Sequence, residues 1–505
     1  MISRVLLLKF VQYLDYTMHT LQEGYNHFLF SLINMLPLVL PHYKTYNIMF
    51  SKETYITRRE KLKSTLTSGI LLFMGNDECG VNYADNTYHF RQDSTFLYYY
   101  GLNYAGLSAI IDLDENEEIV FGDELTIDHI VWMGTQPTLK EKCERIGIDK
   151  TMPSASIANY LAKAVAQGRK IHFLPPYRAE HTLKLIEWID LKPSAQIAST
   201  DFIRAVVNMR NYKSAEEIEE IEKACDITAD MHLTAMRMVR PGIKECEVAA
   251  AVTEVALAAG GQLSFPVIAT INGQTLHNHY HGNTIKSGDM LLLDCGAETA
   301  MGYAGDMSST IPADSAFTQR QRDIYDIQVA AHEAAVNALR PGIRFEDVYD
   351  LSCMTIVEGL KSLGFMKGDA AEAVKAGAHA LFMPCGLGHM MGLDVHDMEN
   401  LGEVWVGYDG QPKSTQFGRK SLRLGRTLEP GFVLTIEPGI YFIPELIDKW
   451  RAENQFTDFI NYEKTSMYKD FGGIRNEEDY LITADGKRLL GKPIPKHAAD
   501  VELLR

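Results

Sequence analysis

Between residues 55 and 193 the chain alternates two hydrophobic patterns. ITRREKLKSTL (56–66) spaces its apolar residues as a helix does. GILLFMG (69–75), SAIIDLD (108–114), EEIVFG (117–122) and KIHFLP (170–175) are short apolar runs bounded by turn residues, which predicts strands. Their alternation predicts an α/β domain. Over 196–214 the pattern loosens, and NYKSAEEIEEIEKA (211–224) opens a new helix. Ser214 is placed to cap it, with Glu216 and Glu217 in the first turn. The chain thus divides into an atypical extension at 1–50, an α/β domain at 51–195, a linker at 196–214 and a larger domain at 215–505.

The larger domain carries a faint repeat. One helix ends in VRPGIKECEV (239–248) and another in LRPGIRFEDV (339–348). A basic last turn followed by Pro and Gly stops a helix. Similar helical patterns flank both stops, so a duplicated helix–helix–strand unit is predicted.

Four apolar stretches in this domain contain an acid where core residues should continue. They are MLLLDCGAE with Asp294, GYAGDMSST with Asp306, FVLTIEPGIYF with Glu437, and GGIRNEEDYLIT with Glu477. The first two are close enough to form one hairpin. A fifth stretch, CGLGHMMGLDVHD (385–397), places His389 and His396 in an apolar, glycine-rich run. One buried acid is ordinarily paired or capped. Four acids with a histidine exceed what nearby bases such as Arg475 balance, and metal is the economical solution. Carboxylates and imidazole suit Mn, Co, Fe or Zn with open positions, and two ions rather than one. Such a pair acidifies a water between them, which is hydrolytic machinery.

Composition narrows the partners. The formal net charge is -17, which argues against nucleic acid and against an anionic membrane surface. Seven scattered cysteines without a CxxC fit a reducing compartment, so a cytoplasmic protein is expected. The first 48 residues hold two acids, Asp15 and Glu23, and the apolar run 28–41 is interrupted by Asn34 and Pro37. That run is short for a membrane span and lacks the marks of a signal peptide. The expectation is a non-native or mis-started extension before Met49, with a secretory or membrane-associating leader as the competing reading.

The order, spacing and flanks of these stretches resemble the pita-bread metallopeptidases: aminopeptidase P, prolidase (Xaa-Pro dipeptidase) and, more distantly, methionine aminopeptidase. The resemblance spans residues 55–492, and YHFRQDSTFLYYYGL (88–102) is similar to the N-domain of that group. It implies an α+β chain: a pita-bread catalytic domain preceded by a smaller α/β domain. It implies Asp294, Asp306, His389, Glu437 and Glu477 as ligands of a dinuclear centre, with Asp294 and Asp306 in different roles, one bridging and one bidentate. Glu477, two after Arg475, is the ligand rather than Glu478. His396 would contact the scissile or proline carbonyl, and His277 in TLHNHYHGN would stabilise the tetrahedral intermediate. His279 and His281 read as surface or supporting neighbours.

Two features depart from the group. The interval Asp294–Asp306 is one residue longer than the group's usual spacing, which predicts a bulge or a longer turn. Cys385-Gly386 stands where relatives commonly have His-Gly.

The implied reaction is hydrolysis of Xaa-Pro bonds, in dipeptides or at peptide N-termini. Glu437 would carry the proton from water to the leaving proline nitrogen, and Arg475 would hold a ligand carboxylate, with Asp294 its expected partner. Arg423, fourteen before Glu437, matches the prolidase residue that takes the substrate's C-terminal carboxylate, which favours dipeptides. The resemblance further implies two divalent ions, Mn(II) foremost and Co, Zn or Fe otherwise, proline-containing di- or oligopeptides as substrates, and a homodimer or homotetramer. The rival readings are a non-catalytic pita-bread protein that binds a peptide or partner, and a creatinase-like C–N hydrolase. Both would lack part of the ligand set present here.

Overall fold

The structure is a computed structural model and describes residues 49–192 and 198–505. The expectation for the first 48 residues lies outside the described residues. Among those described, no helix is long and apolar enough to cross a membrane.

The first region is a five-stranded sheet ordered Lys150–Met152, Glu117–Phe121, Ser108–Asp112, Ile70–Met74, Ile171–His172. The three central strands pair antiparallel and the two outer ones join in parallel. Each run predicted as a strand is one. Ile70–Met74 and Ser108–Asp112 are buried throughout, because helices cover both faces. Side chains still alternate between two cores. Leu71, Phe73 and Ala109 enter the large central core, while Ile70, Leu72 and Ile110 pack against Ile157 and Leu161 of the helix Ser156–Ala166.

The segment expected as a linker holds a helix, Thr200–Arg210, with Phe202, Ile203, Ala205, Val206, Val207, Met209 and Arg210 buried. Its exposed residues, Thr200, Asp201, Arg204 and Asn208, recur at helical spacing, so it is an amphipathic helix with its wider face covered. Ser214 does cap the next helix, Ala215–Met238: its hydroxyl accepts from Glu217 N, and the Glu217 carboxylate accepts from Ser214 N at 3.0 Å.

The repeat is present as structure. Ala215–Met238 and Gln319–Ala338 both run into an Arg-Pro-Gly turn, and the helices Glu245–Ala258 and Phe345–Ser362 follow. In both turns the arginine guanidinium closes on a carbonyl of its own helix end at 3.0 Å, Arg240 on Met238 and Arg340 on Ala338. Gly242 and Gly342 take φ of 95° and 86°, where a side chain would be strained. Each helix pair then backs a sheet. The first is ordered Met307–Pro312, Met290–Cys295, Ile268–Thr270, and the second Val433–Ile436, Glu478–Ile482, Lys487–Leu489. A bridge between Ser308 and Glu477 joins the two halves.

The Asp294–Asp306 hairpin keeps its register, with Asp294 opposite Ser308 and Cys295 opposite Met307. No bulge interrupts this ladder. The longer interval is spent beyond it, where Ala297–Glu298 leaves to pair with Gln262–Leu263 and the chain turns over residues 299–302. The two strands approach so closely at Gly296 that a Cβ there would stand 1.9 Å from the Gly305 carbonyl oxygen.

Candidate metal centre

Strand alternation delivers the first acid. In Met290–Cys295, Leu291, Leu293 and Cys295 enter one core, so Leu292 and Asp294 face the other way. Asp306 ends the returning loop, where its backbone N–H donates to Asp479 at 3.1 Å. Glu477 N donates to Ser308 O at 3.0 Å across the bridge between the halves, and the Glu477 carboxylate accepts from the Ser308 hydroxyl at 2.7 Å. Glu437 follows directly on the strand Val433–Ile436, with its N–H on Leu387 O at 2.8 Å.

His389 is held by its own backbone. Thr435 N donates to its carbonyl at 3.1 Å, and the ring Nδ1 lies 3.1 Å from Met390 O. That carbonyl requires the proton on Nδ1, so Nε2 presents a lone pair. Nε2 lies 3.3 Å from Asp306 and 3.8 Å from Glu437. The donor atoms of Asp306, His389 and Glu477 all fall within 4.8 Å of one another. Asp294 and Glu437 line the same cavity, of about 570 Å³. Five side chains, one on a strand and four on the segments beside strands or in the loop at His389, thus converge on one space.

The cavity is short of positive charge. Asp306 and Glu477 are pushed well above the usual carboxylate range, first by burial and then by neighbouring acids. Arg475 is buried and opposes them. It donates to Ser308 and Tyr441 at 2.8 Å each and to Asp294. Asp306 Oδ1 is buried without a hydrogen-bond partner. Burial lowers His389, which keeps the imidazole neutral, the form that binds a cation. An orphaned carboxylate oxygen, a free imidazole lone pair and four acids that outnumber the guanidiniums of Arg475 and Arg423 fit divalent cations.

The other predicted residues sit around this space. The His396 ring centroid is 4.3 Å from that of His389, and its Nδ1 lies 2.6 Å from Glu399. His277 stands at the exposed mouth. His279, exposed, also lines the cavity, whereas His281 turns away to Val267 O at 3.0 Å. Cys385 lies on the wall, its thiol pushed up to about 12 by burial and then by Glu437. Arg423 reaches the cavity but is paired with Glu399 at 3.2 Å and Glu403 at 3.7 Å.

Sequence reasoning missed the supporting residues Ser308, Tyr441, Asp479 and Glu399. For Ser308 a signal existed: it is two positions after Asp306 in a buried strand, so it shares that residue's face. Nothing in the local pattern marked Glu399.

Comparisons with known proteins agree with this geometry. Residues 219–484, more than half of the chain, match the model of metallopeptidase family M24, and residues 55–172 match that of the aminopeptidase P N-terminal domain. The chain is 29% identical to the human Xaa-Pro dipeptidase, over 90% of this chain and 92% of that one. It is 30% identical to the Xaa-Pro aminopeptidase of Escherichia coli, over 90% and 98%. Proline aminopeptidase P II from Yersinia pestis superposes with a TM-score of 0.76 at 29% identity, covering 90% of this chain and 99% of that one. The architecture is the α+β one expected, an aminopeptidase P-type N-terminal domain followed by a pita-bread catalytic domain. Five converging ligand-type side chains and both matched domains lead to one conclusion: the chain belongs to metallopeptidase family M24.

Proposed function

We propose that this protein is an exopeptidase that hydrolyses Xaa-Pro bonds in dipeptides or at peptide N-termini. The observation that carries the reading is the convergence of Asp306, His389 and Glu477 with Asp294 and Glu437 on one cavity with too little positive charge. Those five residues would hold two divalent ions, Mn(II) in this reading. Oxygen-rich donors with one imidazole suit Mn(II), with Co, Zn or Fe as alternatives. Bound there, the ions supply Lewis acidity to the scissile carbonyl and acidify the attacking water.

The chain's own groups divide the rest of the work. The Glu437 carboxylate takes a proton from the attacking water and delivers it to the proline nitrogen as the C–N bond breaks. His277, at the mouth of the cavity, and His396, as an imidazolium whose Nδ1–H Glu399 accepts, donate to the developing oxyanion and to the carbonyl that follows it. Arg475 fixes Asp294 through a guanidinium that Ser308 and Tyr441 hold from behind. Proline motivates a dedicated site: its nitrogen lacks an N–H and its ring fixes φ, so peptidases that grip substrate as a strand lose a donor there.

The same reading includes self-assembly as a dimer or tetramer. An apolar face supports it, since Ile127, Val131 and Trp132 are 72%, 72% and 85% exposed. Seven free cysteines support a cytoplasmic setting.

Hydrolysis of Ala-Pro and Ala-Pro-Ala tests the function, with Mn(II) added and then removed by a chelator. Release of alanine that requires the metal is expected. A protein that carries stoichiometric metal yet cuts neither peptide would contradict the reading.

A further inference from the structure

His389 and His396 stand side by side, with ring centroids 4.3 Å apart and planes crossing at 70°. Their Nδ1 atoms have different partners. At His389 the partner is a neutral acceptor, the Met390 carbonyl at 3.1 Å. At His396 it is a carboxylate, Glu399 Oε2 at 2.6 Å. The Glu399 carboxyl is held at about 2, first by this hydrogen bond, with burial opposing. It is therefore ionised and only accepts, which puts a proton on His396 Nδ1. Nε2 is the ring nitrogen left for the substrate.

The backbone is strained to bring Glu399 back onto the ring. The chain turns within three residues, and Glu399 N donates to His396 O at 3.2 Å. Met398, between them, is buried with φ of 59°, a left-handed conformation that a residue with a long side chain rarely adopts. Its N–H donates to Asp394 at 3.2 Å, and Asp394 is tied to Arg210 and Ser94. Such strain persists where the surroundings over-determine it, and it concentrates at functional positions. Glu399 itself is exposed, so its hold on the ring depends on this turn and on a brace from the other side. Arg423 Nε supplies the brace, at 3.2 Å from Glu399 Oε2, and Glu403, 3.7 Å from the same nitrogen, is in turn paired with Lys413. Without these contacts His396, half-buried on the cavity wall, would be free to exchange rotamers and tautomers.

We propose that Glu399 is a positioning residue for the reaction: its carboxylate fixes the ring and the tautomer of His396, so that Nε2 meets the substrate in one orientation. Arg423 holds Glu399 in place. A carboxylate partner also strengthens the donor on the opposite ring nitrogen, more than a carbonyl partner does. The catalytic part of this rests on the Xaa-Pro reading.

The test compares Glu399→Ala with the wild type on Ala-Pro-Ala with Mn(II), and repeats the change in a His396→Ala background. With His396 present, Glu399→Ala is expected to lower kcat about tenfold and to move KM by less than about twofold. In the His396→Ala background the same change should alter kcat by less than about twofold, because no ring remains to be positioned. Glu399→Gln, which keeps the size without the charge, serves if Glu399→Ala binds less metal; the same difference between backgrounds is then expected at about threefold. A glutamate that only supports the fold would cost the same factor in both backgrounds, and that result overturns the proposal. So does a Glu399→Ala variant with the kcat of the wild type. NMR of the zinc-loaded protein with isotope-labelled histidine reads the ring without turnover. The proton is expected to be fixed on His396 Nδ1 in the wild type and to exchange between both ring nitrogens in Glu399→Ala; exchange already present in the wild type overturns the proposal. If no Xaa-Pro peptide is cut, that reading fails, and the NMR measurement still decides whether Glu399 fixes the ring.

Discussion

The loop 385–400 joins two buried charged clusters of opposite character. At its His389 end, Asp294, Asp306, Glu437 and Glu477 share a cavity with Arg475 and with Arg423, and Arg423 is paired with two further acids, Glu399 and Glu403. At its other end Asp397 is paired with Arg210 at 2.7 Å and Lys213 at 2.9 Å, and Arg210 also holds Asp394 at 2.9 Å. Asp397 and Asp306 are equally hidden, 3% and 4% exposed. Burial works to raise both carboxyls. At Asp397 the two cations outweigh it and hold the group below the usual range, while at Asp306 neighbouring acids add to it. Burial of charge therefore does not by itself mark a functional site. Imbalance does, because a folded chain keeps such acids together when a ligand supplies the missing charge. The balanced cluster serves the other one: it ties the His396 loop to the helix Thr200–Arg210 and, through Arg210 on Thr95 and Ser94 on Asp394, to the N-terminal domain.

Substitutions should separate the two clusters. The largest effect is expected at Glu437→Gln, which removes the proton carrier and lowers kcat by about 10³-fold or more. Steady-state kinetics on Ala-Pro-Ala measures it, and activity close to wild type would remove the role. Next comes Asp397→Ala, which leaves Arg210 and Lys213 buried without a partner and should destabilise the fold by about 3–5 kcal/mol in urea unfolding. The matching change in the unbalanced cluster, Asp306→Asn, should leave the metal-free protein no less stable at neutral pH while abolishing metal uptake; equal destabilisation would erase the contrast. Arg475→Lys loses the fork that grips Asp294, Ser308 and Tyr441, and should weaken Mn(II) affinity by about 10–100-fold in calorimetric titration. The smallest change is Ser308→Ala, which removes one donor from Glu477 and should cost about 1 kcal/mol of metal binding.

The contrast also explains what could be read without a structure. Asp294, Asp306, Glu437 and Glu477 were legible because an acid interrupting an apolar strand is conspicuous, and four such interruptions have few structural explanations. The strands of the first domain were legible from their length and boundaries. The helix Thr200–Arg210 was overlooked, although its exposed Asp201, Arg204 and Asn208 recur at helical spacing among buried residues. The engagement of Arg423 was hidden too. It depends on a glutamate 24 positions earlier and another 20 earlier, brought in by a loop whose path no local pattern encodes. The resemblance made Arg423 a carboxylate holder; in space its guanidinium lies against Glu399 and Glu403.

Metal-linked stability tests the central claim most directly. Asp306 and Glu477 have folded-state values raised above those of the unfolded chain. Without metal, the stability they allow is complete below the ordinary carboxylate range, about pH 4, and is lost as pH climbs towards the raised values. The chelated protein should therefore melt at progressively lower temperature as pH rises through that window. Saturating Mn(II), which binds the ionised form, should raise the melting temperature most at the high end. A melting temperature that Mn(II) leaves unmoved across the whole range would contradict the account.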